Sequence, residues 1–367
     1  MYFPTFIFSS LIAATLFTTS FGVPIKDPSL KKYAAVPTLI KPPVFIGAGT
    51  YPRANKLSNG SLILSYTAFE NGDNIIRIAL STDKGKTWKT QGDVARGPSN
   101  ANDIDNPYIL QLPSGRLIVA FRNHSKDPSN GSYTYFRITI CYSDDLGKSW
   151  LFLSEPTANP GPVTGLWEPF LRNALDGSLQ LYYSRENAPD DQDTLERFST
   201  DAGATWSAPQ TISGAGLTSR DGMTGVATVS GSTLIAVFET SVVGTFNISA
   251  ITSTDDGKTW GGRRVIYTPV KPNTSAGAPQ VLNVAGALVV SFITNEDDTL
   301  TAPAPNYALR TSTKLITSGD GGKTWGNKIT VGQPHSVWPG LVGLDGKKFL
   351  VVFDNGGVKA QKIKLSK

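Results

Sequence analysis

The stretch Ser81-Thr82-Asp83-Lys84-Gly85-Lys86-Thr87-Trp88 occurs five times in this chain, with small changes. The second copy is Ser143-Asp144-Asp145-Leu146-Gly147-Lys148-Ser149-Trp150, and the others end at Trp206, Trp260 and Trp325. All fit S-x-D-x-G-x-[TS]-W. An Asp side chain accepts hydrogen bonds from nearby backbone N–H groups, and Gly supplies a positive φ. Trp packs its ring beneath the turn and has one N–H to place locally. A single copy is ordinary turn composition. Five copies in register define a repeat, which must be read before any single residue. Each copy reads as a structural staple outside the active site.

A second periodicity is offset from these boxes. Six units each contain a loop, an apolar strand, a Gly-containing turn and another apolar strand. They begin at Tyr51-Pro52-Arg53, Asp105-Asn106-Pro107, Trp167-Glu168-Pro169, Gly222-Met223-Thr224, Ala278-Pro279-Gln280 and Trp338-Pro339-Gly340. The x-Gly steps between the strands are hairpin signals. The sixth unit reaches the C-terminus before it supplies a box. Six units and five boxes predict an all-β fold, a six-bladed β-propeller of four-stranded blades. A strand near Val44-Phe45-Ile46 is expected to complete the last blade, closing the ring.

Composition agrees. The 367 residues include 36 Gly and 24 Pro, only 17% are charged, and no long stretch keeps helical periodicity. The net charge of +5 is scattered, without the basic, aromatic-interleaved run of a nucleic-acid binder. Residues 1–22 have an apolar body followed by small and polar residues and read as a secretory signal peptide. Residues 23–367 are expected to form one propeller domain, secreted and extracellular, with no membrane partner and as a monomer. Sequons at Asn59, Asn123, Asn130, Asn247 and Asn273 suit a secreted glycoprotein. The lone Cys141 has no internal disulfide partner. No metal-ligand spacing and no phosphate loop occur, so no cofactor is expected.

In each unit the start of the first strand and the end of the second share one rim of the channel. Two carboxylates stand out there. Glu168 lies between Trp167 and Pro169, a setting that desolvates a carboxyl and raises its pKa, as a general acid requires. Glu239 ends the apolar run Leu234–Phe238 and is held rigidly. Two carboxylates flanking a pocket are what glycoside hydrolysis needs. Glu186 and Asp354 end equivalent strands and compete; Glu186 is expected to pair with Arg185. Trp167 and Trp338 suit stacking on sugar faces or packing in the channel. Arg53, Asn106, Arg122 and Arg185 are expected to bind substrate hydroxyls from the same rim.

The repeated box is the Asp box, and the chain resembles the sialidase-like (BNR repeat) propellers over nearly all of residues 23–367. Tyr51-Pro52-Arg53 loosely echoes the sialidase Arg-Ile-Pro motif. Gly165-Leu166-Trp167-Glu168-Pro169-Phe170-Leu171 and Val237-Phe238-Glu239-Thr240 look like segments of the fungal exo-arabinanases of glycoside hydrolase family 93. That resemblance implies a retaining enzyme releasing arabinobiose from the non-reducing end of α-1,5-L-arabinan. It implies Glu168 as acid/base and Glu239 as nucleophile, with arabinan or an arabino-oligosaccharide as partner. A sialidase or other exo-glycosidase, and a non-catalytic carbohydrate-binding propeller, remain the alternatives.

Overall fold

A computed structural model describes residues 35–299 and 307–366. The expected signal segment lies outside the described residues.

Six four-stranded antiparallel sheets are arranged as a β-propeller. Val36–Gly47 forms β1. Blade 1 is β2 (Thr50–Lys56), β3 (Leu62–Glu70), β4 (Asp73–Ser81) and β5 (Lys89–Pro98). Blade 2 is β6 (Asn102–Gln111), β7 (Leu117–Lys126), β8 (Tyr133–Ser143) and β9 (Leu151–Pro160). Blade 3 is β10 (Leu166–Asn173), β11 (Leu179–Ala188), β12 (Asp191–Ser199) and β13 (Gln210–Ser213). Blade 4 is β14 (Gly222–Ser230), β15 (Thr233–Val243), β16 (Thr245–Ser253) and β17 (Gly261–Tyr267). Blade 5 is β18 (Ala276–Val284), β19 (Ala287–Thr294), β20 (Ser312–Ser318) and β21 (Gly326–Gly332), with one 3₁₀ turn at Tyr307–Arg310. Blade 6 is β22 (Val337–Gly343), β23 (Lys348–Asp354) and β24 (Val358–Ser366), completed by β1.

The expected ring closure is present. β1 pairs antiparallel with β24, from Val36 opposite Ser366 to Gly47 opposite Val358. It is longer than the Val44-Phe45-Ile46 core, because an edge strand tolerates proline: Pro42 and Pro43 fall in the register irregularity between Ile40 and Val44. Blades 1 and 6 are also sealed by one apolar cluster, in which Leu62 and Leu64 meet Leu350, Val352 and Val358. Burying each such aliphatic side chain stabilises the seam by about 1.5–3 kcal/mol.

The boxes staple the outer hairpin of five blades. Asp201 Oδ1 accepts from Ser199 Oγ at 2.8 Å and Thr205 N at 2.8 Å, while Gly203 N donates to Ser199 Oγ at 2.8 Å. The Thr205 hydroxyl, then its N–H, then the Ser199 hydroxyl hold Asp201 down at about 2. The residue before each box glycine, such as Lys84 or Leu146, also has a positive φ. Thr82 and Lys84 lie beside the Asn59-Gly60 turn, which places that box on the face where the first strands end.

Each innermost strand carries the same irregularity. Register skips fall at 50/53, 105/108, 167/170, 222/225, 277/280 and 337/340. The first residue in each skip is left-handed: Tyr51, Asn106, Glu168, Met223, Ala278 and Trp338 have φ between 51° and 56°. Proline follows in five of the six and Thr224 in the other. Proline has no N–H for the ladder, and a bulge removes that requirement while turning the strand. A non-glycine residue in this region costs about 1–3 kcal/mol and persists only where its surroundings hold it. Six equivalent strained residues therefore ring one mouth of the channel.

Part of that ring closes the channel. Tyr51, Met223 and Ala278 are buried in one cluster with Ile293 and Ala308, and Trp338 packs against it. Tyr51 belongs to blade 1 and Met223 to blade 4, on opposite sides of the ring, so the cluster they share spans the axis. This plug separates the mouth from a cavity of about 520 Å³ on its other side.

Candidate active site

Glu168 occupies the blade 3 bulge on β10. Its neighbours Phe170 and Leu171 are buried and anchor the strand, and Pro169 ends the local ladder. The half-buried carboxylate leaves its own blade: Oε2 accepts from Ser184 Oγ at 3.0 Å and from Met223 N at 3.2 Å. Burial raises its pKa, and the hydrogen bond from Ser184 and the Arg122 charge only partly oppose this.

Glu239 lies on β15 after five buried residues, Leu234 to Phe238, and is itself half-buried. Its Oε2 accepts from Ala278 N at 2.7 Å. The two acids thus share a design. Each reaches to the next blade and takes the N–H of that blade's left-handed bulge residue.

Gly222 lies between them. It is opposite Glu239 in the β14–β15 register. A Cβ on Gly222 would stand 3.4 Å from Glu168 Oε2, 3.0 Å from Ser184 Oγ and 2.2 Å from Gln192 Nε2. The contact with Glu168 would be an ordinary one, so it is the Gln192 amide, and less so the Ser184 hydroxyl, that leaves no room for a side chain here. Glu168 is thus held at Met223 and Glu239 at Ala278, on adjacent bulges of the same channel mouth.

The other expected site residues divide. Asn106 is buried on the blade 2 bulge, its Oδ1 accepting from Arg122 Nη1 at 2.9 Å. Arg122 Nη2 reaches Asp103 and Asp105, each at 3.0 Å, and its guanidinium lies 5.2 Å from the Trp167 ring centre. Trp167 packs edge-on against His124, Tyr133 and Phe136, so packing occupies much of its ring. Trp338 is half-buried on the blade 6 bulge, 5.9 Å from the Tyr51 ring. Arg185 is held by Asn187 at 3.1 Å and Asp193 at 3.4 Å.

Arg53 is not on the rim. It is 3% exposed and lines the cavity below the plug, donating to Pro52 O at 2.8 Å and Trp338 O at 3.0 Å. It falls there because it follows the bulge, one step past the left-handed residue and its proline. Glu186 also differs from expectation: it pairs with Arg220 at 2.6 Å, not with Arg185. Successive residues of a strand face opposite sides of the sheet, so adjacent Arg185 and Glu186 do not meet. Asp354 accepts from Gly357 N at 2.9 Å and caps its own turn. His335 Nδ1 lies 2.8 Å from Leu309 O, and His124 is buried with its pKa pushed down to about 3 by burial and then by the Arg122 charge. Among the described residues no group of His, Cys, Asp and Glu is arranged to hold a metal ion.

Sequence reasoning did not anticipate Ser184, Gly222, Met223 or Ala278. The x-Pro at five of the six strand starts was the available signal, with Met223-Thr224 at the equivalent place in the fourth unit. Proline inside a strand calls for a bulge, and the bulge residues supply the N–H groups that hold both acids.

A six-bladed propeller with five box turns, carrying paired glutamates at one mouth, defines the class. A family model described as a BNR repeat-like domain matches residues 152–352, and the chain belongs to that family. Its fold is shared with solved structures of low sequence identity. A Penicillium chrysogenum alpha-L-arabinanase complexed with arabinobiose has 19% identity and TM-score 0.66, covering 91% of this chain and 98% of that one. The family 93 alpha-L-arabinofuranosidase of Fusarium graminearum with arabinobiose has 22% identity and TM-score 0.69, with the same coverage. A Hadza microbial sialidase has 18% identity and TM-score 0.60, covering 87% of this chain and 66% of its own. No curated protein matches the sequence.

Proposed function

We propose that this protein is a retaining exo-glycosidase that releases arabinobiose from the non-reducing end of α-1,5-L-arabinan. The observation that carries this reading is that Glu168 and Glu239, on adjacent blades at one channel mouth, each accept the N–H of the next blade's bulge residue, Met223 and Ala278. Glu239 attacks the anomeric carbon, forming the glycosyl-enzyme bond as the bond to the leaving oxygen breaks. Glu168 delivers its proton to that oxygen, then takes a proton from the water that hydrolyses the intermediate. The raised pKa of Glu168 suits the acid step. Both hydrogen bonds to its carboxylate go to Oε2, so the transferable proton belongs on Oε1. Retention requires the two carboxyl groups about 5–5.5 Å apart.

The plug supports exo action, because a polysaccharide cannot thread the channel past Tyr51, Met223 and Ala278. The shared fold of two proteins solved with arabinobiose supports the sugar. A sialidase reading draws less support: Arg53 is buried below the plug, Arg122 is bound to Asp103 and Asp105, and Arg220 is bound to Glu186. Secretion through residues 1–22 completes the reading. Asn59, Asn130 and Asn273 are exposed for glycosylation while Asn247 is buried, so glycopeptide mapping of the secreted protein should find no glycan on Asn247.

The test is product analysis with debranched arabinan and with sialyl-lactose. The expected result is arabinobiose from the first and nothing from the second. Release of sialic acid would overturn the assignment. Binding of arabinan without any product would favour a carbohydrate-binding propeller.

A further inference from the structure

The cavity beneath the plug has an unusual charge balance. All six innermost strands line it, and its walls include Arg53, Lys56 and Arg172 but no carboxylate. Arg172 is neutralised by Asp256 at 2.5 Å and Lys56 by Asp345 at 2.9 Å. Arg53 has no such partner: among the described residues it forms no ion pair. It is the most buried of these cations, and its Nη2, sealed from water, has no hydrogen-bond partner among the described residues.

Other arginines of the inner blades are treated differently. Arg122, Arg220 and Arg263 are each more exposed than Arg53, yet each faces a carboxylate. Arg53 has two backbone carbonyls and the Tyr51 ring, whose centre is 4.1 Å from its guanidinium. Carbonyls and a ring face solvate a cation but do not cancel its charge. A guanidinium does not deprotonate in a protein, so the charge persists at every working pH. Buried ions carry a large desolvation penalty unless a counter-charge meets them.

We propose that the cavity is a second ligand site in which Arg53 receives a small oxyanion. The guanidinium fork suits a carboxylate, phosphate or sulfate group. Lys56 lines the outer end of the cavity, where it is already paired with Asp345, so the unpaired charge that faces the ligand is that of Arg53. A volume of about 520 Å³ admits a molecule as large as a uronic acid. The plug divides this cavity from the glutamates, so the ligand occupies a site distinct from the one under "Proposed function" and does not depend on that reading.

The experiment is a thermal-melt titration of the full mature protein with sodium phosphate and, separately, sodium glucuronate. Sodium chloride at matched ionic strength is the reference. The expected result is a saturable rise in Tm of about 3–4 °C over the chloride reference with at least one anion, and loss of that rise in Arg53→Met. Phosphate alone active identifies an inorganic oxyanion; glucuronate alone active identifies an acidic sugar. If Arg53→Met does not fold, Arg53→Lys, which keeps the charge but loses the planar fork, should weaken the apparent Kd several-fold, and an unchanged Kd in it would overturn the proposal. Absence of a saturable shift with either anion, or its survival in Arg53→Met, would equally overturn it.

Discussion

Replacing Glu196 by Gln should remove most of the pH dependence of stability above pH 5. Glu196 is fully buried between blades 3 and 4. Its Oε2 accepts from Trp260 Nε1 at 2.8 Å, and among the described residues its Oε1 has no well-formed hydrogen bond, with only the Tyr182 hydroxyl to favour its charge. Trp206 and Trp325 instead donate to the carbonyl of their own box glycine, so the fourth box is wired differently. Burial pushes the Glu196 pKa up to about 7, from an unperturbed 4.5. Because the folded value is the higher one, the protein holds a proton that the unfolded chain loses. That contribution is fully present below pH 4.5 and is lost as pH rises through 7. A gap of about 2.5 units corresponds to roughly 3 kcal/mol at its upper limit. For a chain of this size that is about 4 °C in Tm. Gln keeps an oxygen for Trp260 and carries no charge. Melts of Glu196→Gln should therefore lie above wild type at pH 8 and approach it at pH 4.5. Parallel curves for the two proteins across this range would refute the reasoning.

Three further outcomes follow from the site. Gly222→Ala should destabilise by about 1–3 kcal/mol through overpacking against Gln192, measured by denaturant unfolding, and should lower kcat on arabinan by pushing Ser184 away from Glu168. Ser184→Ala removes a donor to the ionised form of Glu168. Its pKa should rise further, moving the alkaline limb of the pH–rate profile to higher pH. Thr224 donates nothing to either glutamate, and its hydroxyl lies 3.0 Å from that of Thr194; Thr224→Val should cost stability in denaturant unfolding while leaving the pH–rate profile in place.

The fold was legible because its signals are local. Each box contains the donors and acceptors of its own turn, so Asp83 or Asp320 can be read from eight residues. Six hairpins against five boxes also exposed the closure by β1. Glu168 and Glu239 were legible as strand-end acids. Their partners were not, since Met223 N and Ala278 N come from the next blade and from bulges with no side-chain signature. The same long-range choice defeated the pairing of Glu186, which finds Arg220 across a blade seam instead of its chain neighbour Arg185. Arg53 was misplaced because a two-residue bulge separates rim from channel, and period-2 alternation cannot show where a strand breaks step.

The measurement that tests the paired-glutamate account most directly is azide rescue of Glu239→Gly on debranched arabinan. The account predicts a folded but inactive variant, with turnover restored by sodium azide and a glycosyl azide of inverted anomeric configuration as product. Wild-type turnover by Glu239→Gly without azide would contradict it.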